Sequence, residues 1–127
     1  MANQTILVAE DQLHVRKLIT YKLENCGYEV ITVEDGAEAL RRIREIKPTL
    51  VLLDIMMPLM TGFEVLSALK QDEATKKIPV LLVTAQSKEI EILRGLEMGA
   101  EDYITKPFSP NELAARVKKA LLHHTRS

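Results

Sequence analysis

The chain has 127 residues, 46% of them hydrophobic and 28% charged, and its 17 basic against 18 acidic side chains leave a formal net charge of −1. That length and balance suit one ordinary globular domain that buries a core without staples, and they exclude the basic excess of a general nucleic-acid binder. The single cysteine, Cys26, excludes an internal disulfide, and no apolar stretch approaches the ~20 residues of a membrane span.

Met1-Ala2-Asn3-Gln4 lacks the basic and apolar regions of a signal peptide, so a cytoplasmic location with no membrane partner is expected. From Thr5 to Ala9 the chain reads as a strand, and Asp11 to Cys26 as a helix with Val15, Leu18, Ile19 and Leu23 on one face. Gly27 stops that helix, and Cys26 beside it is expected to be a small buried apolar residue. Tyr28 to Val33 alternates as a second strand. Gly36 to Ile46 is a helix striped by Leu40, Ile43 and Ile46, and Pro48 bars its continuation.

Leu50 to Asp54 is the third strand. Thr61 can cap a helix through Phe63, Leu66 and Leu69, although Gly62 at its start counts against it. Asp72 to Lys77 is a polar loop, and Val80 to Thr84 is the fourth strand. Ser87 is placed to cap a helix through Ile90, Leu93, Leu96 and Glu97 that ends at Gly99, with Lys88, Glu89, Glu91 and Arg94 as a solvated face. Glu101 to Thr105 is a short fifth strand. Ser109-Pro110-Asn111-Glu112 is a capping box opening a last helix striped by Leu113, Val117, Ala120 and Leu121. Residues 1–127 thus form a single domain with a core over about 4–122 and a frayed tail at 123–127, the latter holding His123 and His124.

Alternating strands and helices imply an α/β fold, a doubly wound parallel sheet with helices on both faces. The first, third and fourth apolar runs are the most uniform and belong in the centre; the mixed second and fifth belong at the edges. Right-handed crossovers then favour the order 2-1-3-4-5. Ligands bind where the winding reverses, beyond the carboxyl ends of the strands. Glu10, Asp11 and Asp54 fall there, while Thr84 and Lys106 end the neighbouring strands.

Three carboxylates close together repel one another, and a hard dication relieves that repulsion. Mg²⁺ or Mn²⁺ suits an all-oxygen set and prefers one or two carboxylates plus a phosphate. Lys106 supplies a point charge for phosphate and Thr84 a hydroxyl. Asp54, central on the third strand, is the best nucleophile for forming an acyl phosphate, and Glu10 and Asp11 suit the metal. Singly, Asp11 is as good a helix cap, Thr84 an ordinary strand residue, Tyr103 a packed ring and Lys106 a solvated lysine; their joint placement is what overturns those readings. His14 is expected to be exposed, and Met56, Met57 and Met60 to pack.

With Glu10-Asp11, Asp54 followed by Met57-Pro58 and Gly62, Thr84-Ala85, and Lys106-Pro107-Phe108, nearly the whole chain resembles a receiver domain of a bacterial two-component response regulator, with a flavodoxin-like, CheY-like fold. The resemblance implies that Asp54 accepts a phosphoryl group from a histidine kinase or phosphotransfer protein. It implies Mg²⁺ held by Asp11, Asp54 and the main-chain carbonyl of Met56, with Glu10, in place of the commoner Asp, acting mainly through water. It implies that Thr84 swings toward the phosphate and Tyr103 moves inward, altering the surface of the fourth helix, fifth strand and fifth helix (Ile90, Arg94, Glu97, Tyr103, Arg116). Met56 and Gln86 would tune phosphate lifetime, and Lys106-Pro107 would be a cis peptide. A downstream effector or an output domain, and a phosphorylation-dependent homodimer through that surface, complete what the likeness implies. Two competitors fit less well. A haloacid dehalogenase phosphatase resembles Asp-x-Asp, and Met56 stands at its second acid; a nucleotide or flavin binder wants a Gly-rich loop, and Ala9-Glu10-Asp11-Gln12-Leu13 has none. A receiver-like module that never takes phosphate is the third alternative.

Overall fold

A computed structural model describes residues 4–85 and 89–126, with side chains as far as His123. Strands and helices alternate as β1 (Thr5–Ala9), α1 (Leu13–Asn25), β2 (Glu29–Val33), α2 (Gly36–Ile46), β3 (Leu50–Asp54), α3 (Gly62–Gln71), β4 (Val80–Ala85), α4 (Glu89–Glu97), β5 (Asp102–Lys106) and α5 (Pro110–Arg126). All pairings are parallel and the order is β2-β1-β3-β4-β5, as the apolar runs require. β3 is buried throughout, whereas β2 and β5 are buried at one position each.

Side chains along each strand alternate between two cores. Leu7, Val51, Leu53 and Leu82 pack with Ala39 and Ile43 of α2 and Phe63, Leu66 and Leu69 of α3. Ile6, Val8, Leu52, Leu81 and Val83 pack with Ile19 and Leu23 of α1 and Leu113, Val117 and Leu121 of α5. Burying both faces offsets the cost of ordering the chain and holds the strand ends in fixed register.

The helix ends show why local chemistry chose them. Asp35 caps α2 by accepting from the Glu38 N–H at 2.7 Å. Thr61 and Glu64 close a full capping box on α3. Gly62 is no weakness there: a Cβ on it would lie 2.6 Å from the Asp54 carbonyl, so glycine lets α3 start against the end of β3. Ser109 accepts from the Glu112 N–H at 3.0 Å, but the Glu112 carboxylate turns to Arg116 Nε at 3.3 Å instead of completing the box. The expected Ser87 cap lies outside the described residues.

Several expectations need correction. α1 starts at Leu13, with Gln12 at its N-cap and no side-chain cap, because the Glu10 carboxylate takes the Gln12 N–H at 3.1 Å. Leu18 is exposed: Ile19 and Leu23, one turn apart, centre the buried face and leave Leu18 at its margin. Cys26 is exposed rather than buried, because it lies past the last turn of α1 and faces an open cleft against α5. The tail is not frayed as far as Arg126, since α5 runs on; Leu121 anchors it in the core and His123 Nδ1 lies 2.8 Å from Glu101 Oε2.

α4 departs most from the periodic reading. Ile90, Leu93 and Leu96 are all exposed, and the buried residue is Gly95. A Cβ on Gly95 would collide with the Leu82 side chain, so glycine sets how closely α4 approaches β4. Arg94 fixes the helix further with its guanidinium 4.3 Å from the Phe63 ring centroid. Glu91, assigned to a solvated face, is half-buried.

Candidate functional site

β1 and β3 are neighbours whose crossovers leave in opposite directions, so a crevice opens beyond their carboxyl ends. Glu10 follows β1 and is 1% exposed, and Asp54 ends β3 at 4%. Asp11 between them in the crevice is exposed. One carboxylate oxygen from each lies within 4.8 Å of the others.

Lys106, the last residue of β5, reaches across β4 into this cluster. Its ammonium donates to Asp54 Oδ2 at 3.0 Å and to Gln12 Oε1 at 3.2 Å. It lies 2.9 Å from Glu10 Oε1, an ion-pair distance at an angle that falls short of a hydrogen bond. The other Asp54 oxygen, Oδ1, accepts the Met56 N–H at 3.2 Å. That bond turns the Met56 backbone toward the carboxylate and its side chain outward, 68% exposed, which corrects the expectation that Met56 packs. Met57 and Met60 do pack against the α2–α3 core.

Burial pushes the Asp54 carboxyl up to about 7, helped by the charge and hydrogen bonding of Glu10 and opposed by Lys106. Burial lowers the Lys106 ammonium, but the two carboxylates outweigh it and the net direction is up. Because the folded pKa of Asp54 is above its ordinary 3.8, the stability it contributes is full below that value and lost as pH rises through about 7. A bound dication needs the carboxylate form. Apparent Mg²⁺ affinity should therefore rise about tenfold per pH unit below 7 and flatten above it, with proton release on binding. Calorimetry in buffers of different ionisation enthalpy checks this, and a flat profile from pH 5.5 to 7 would contradict it.

The donor set fits a hard dication: the carboxylates of Glu10, Asp11 and Asp54 offer only oxygen ligands. Buried Glu10 Oε1 makes no hydrogen bond and is balanced by the Lys106 ammonium at 2.9 Å, so a dication there would share this oxygen with Lys106.

Thr84 is buried on β4, its hydroxyl 3.3 Å from the Ala85 carbonyl and 3.4 Å from Glu91 Oε1. Ala85 pairs in register with Lys106 at the sheet edge. Tyr103 is half-buried against the core, with the Arg116 guanidinium 5.4 Å from its ring centroid and bound to both Asp102 oxygens at 3.1 Å. Lys106-Pro107 is cis. His14 is exposed, as expected. Gln86 lies outside the described residues.

Two contributors escaped the sequence reading. Gln12 takes one Lys106 hydrogen. Arg16 donates to the Glu10 carbonyl at 2.9 Å. Neither spacing carries a signal, since both contacts depend on how α1 leaves the loop.

A family model for the response regulator receiver domain matches residues 6–118. The chain is 46% identical over 119 residues to the alkaline phosphatase synthesis transcriptional regulatory protein PhoP of Bacillus subtilis, covering 94% of this chain and 49% of that protein. It is 46% identical over 121 residues to the phosphate regulon transcriptional regulatory protein PhoB of Pseudomonas aeruginosa, covering 95% and 53%. It thus spans about half the length of these curated relatives. Among solved structures, the Francisella response regulator 1452 receiver domain matches with TM-score 0.88 at 32% identity, covering 95% of this chain and 98% of that one. The chemotaxis response regulator CheY4 of Vibrio cholerae matches with TM-score 0.88 at 29% identity, covering 94% and 99%. Among the described residues no helix is long and apolar enough to cross a membrane.

Proposed function

The chain belongs to the response regulator receiver family, a phosphoacceptor domain that acts as a phosphorylation-dependent signalling switch, and from that premise we propose that Asp54 is the residue that takes the phosphoryl group. One observation carries the assignment. Asp54 is the one carboxylate of the cluster that lies within a strand, as the last residue of central β3, and the one that accepts a hydrogen bond from Lys106, while its other oxygen accepts the Met56 N–H.

In this reading a deprotonated Asp54 oxygen attacks the phosphorus of a phosphohistidine. The P–O bond forms, the P–N bond breaks, and the imidazole leaves with a proton from solvent. Glu10, Asp11, Asp54 and the Met56 carbonyl would hold Mg²⁺ or Mn²⁺, which when bound neutralises charge on the transferring group. Lys106 moves its ammonium from the carboxylates to a phosphoryl oxygen, and the Thr84 hydroxyl donates to another. Loss of Thr84 from its place near Glu91 opens room behind it for Tyr103. The same site supports slow hydrolysis of the acyl phosphate without any further catalytic group.

A histidine kinase or phosphotransfer protein is the donor in this proposal. The output passes through α4, β5 and α5, where Ile90 at 83%, Leu93 and Leu96 are exposed beside Arg94, Glu97 and Arg116. A homodimer or an effector covers that face; the names of PhoP and PhoB, of which this chain matches about half, favour a transcriptional output domain. The phosphatase reading gains nothing, because the side chain two residues beyond Asp54 is the outward-facing Met56.

Incubation with Mg²⁺ and phosphoramidate tests the assignment by intact mass. One phosphoryl group should add to the parent protein and none to Asp54→Asn; equal labelling of both would reject it. Met56 borders the mouth of the site and Gln86 follows Thr84-Ala85 in the chain. Met56→Ala and Gln86→Ala should each change the acyl-phosphate half-life severalfold while moving the melting temperature by under about 3 °C. Unchanged half-lives would remove both residues from the proposal.

A further inference from the structure

The Asp11 carboxylate is the loosest member of the acid cluster. Among the described residues no hydrogen bond or ion pair holds it, in contrast to Glu10 and Asp54. Its approach to the other two acids therefore depends on the backbone that carries it. That backbone is tied at few points. The Glu10 N–H donates to the Val33 carbonyl at 3.1 Å, and the Gln12 N–H to the Glu10 carboxylate at 3.1 Å.

A further restraint on Glu10 and Asp11 themselves comes from inside α1. Arg16 turns back over the first turn, its side chain 14% exposed, and one guanidinium nitrogen donates to the Glu10 carbonyl at 2.9 Å and lies 3.5 Å from the Asp11 carbonyl. The same nitrogen is 3.7 Å from Glu34 Oε1, at the end of β2. One nitrogen of an always charged group thus reaches the carbonyls on either side of the Asp11 Cα.

We propose that Arg16 is a positioning residue for the metal-binding acids: by holding the carbonyls of Glu10 and Asp11 it presets the direction of the Asp11 carboxylate toward Glu10 and Asp54. The inference rests on the metal reading above. Groups that orient ligands from behind typically change metal affinity by about 10–100-fold when removed. The charge of Arg16 acts the other way, since a cation near the acids opposes a dication. Position and charge are separable. Arg16→Lys keeps the charge but ends one atom short of Nη1 and so loses its reach to the two carbonyls, whereas Arg16→Met loses both.

Mn²⁺ titration followed by electron paramagnetic resonance, with amide hydrogen exchange on the metal-free proteins, tests this. Arg16→Lys should bind Mn²⁺ about tenfold more weakly than the parent. In that variant the amides of Asp11 and Gln12 should exchange faster, with β1 and β3 as protected as before. Arg16→Met should also bind more weakly, by a smaller factor, because relief of repulsion offsets part of the loss. Arg16→Lys binding within twofold of the parent, or Arg16→Met binding more tightly than the parent, would overturn the proposal. General loss of protection across β1 and β3 would also overturn it, by making Arg16 a fold residue. Absence of Mn²⁺ binding by the parent would instead overturn the metal reading and this inference with it.

Discussion

Replacing Lys106 with methionine should destabilise the metal-free protein by about 3 kcal/mol at pH 8, because it strips the ammonium that pairs with two buried carboxylates. The ammonium sits 2.9 Å from Glu10 and 3.0 Å from Asp54, whose side chains are 1% and 6% exposed. Methionine keeps most of the apolar stem, so packing loss is small and the effect is electrostatic. The pH dependence follows from Asp54. Its carboxyl holds a proton below about 7, and a neutral Asp54 needs no counter-charge, so the loss should shrink markedly at pH 5. Saturating Mg²⁺ should recover part of it at pH 8 by supplying positive charge to the same oxygens. Urea melts at the two pH values, with and without Mg²⁺, measure all of this. An equal loss at pH 5 and pH 8 would mean that Lys106 acts through packing alone. On the proposed assignment the variant should also take phosphate from small donors far more slowly, since Lys106 is the cation that donates to Asp54 Oδ2.

Asp54→Asn should do the reverse. The amide can still accept the Met56 N–H or the Lys106 proton, but it removes one of two neighbouring buried charges and leaves Glu10 and Lys106 as a balanced pair. The metal-free variant should be more stable than the parent by roughly 1–3 kcal/mol above pH 7. The gain should fade as pH falls through about 7, because the parent then protonates Asp54 and reaches nearly the same charge state. Equal stability of the two proteins at pH 8 would show that the acid cluster is not under strain. On the proposed assignment phosphorylation should be lost outright, so the variant separates the stability of the site from its chemistry. The double variant with Lys106→Met should lose less than Lys106→Met alone, since the two residues share one contact.

The helices were legible wherever a single local cause sets them. Thr61 and Ser109 each satisfy a backbone N–H within their own turn, so their roles follow from residue type and spacing; Asp35 caps α2 in the same way but went unread in the sequence. α1 and α4 are followed by the expected glycines, Gly27 at φ 96° and Gly99 at φ 106°. What failed was orientation. Leu18, Ile90, Leu93 and Leu96 have helical spacing yet are exposed, and Cys26 and Met56 are exposed although their type suggested burial. A helix's buried stripe is decided by where its neighbour sits. For α4 that depends on Gly95 against Leu82, a contact set by how the helix folds back onto the strand before it. Arg16 was invisible for a similar reason: an arginine on a helix reads as solvated until the helix is seen folding back on the loop before it.

Taken alone, the order of residues determined a five-stranded parallel sheet and gathered Glu10, Asp11, Asp54, Thr84 and Lys106 at its carboxyl edge, because apolar runs, crossover handedness and turn residues are local or topological properties. Only the tertiary structure decided how charged that edge is. The shift of Asp54 to about 7, the hydrogen bonds of Lys106 to Asp54 and Gln12 and its ion pair with Glu10, the exposed face of α4 and the hold of Arg16 on the acid loop all arise from burial and from distances between elements. Desolvation and Coulomb energies depend on those distances, and spacing along a chain does not contain them.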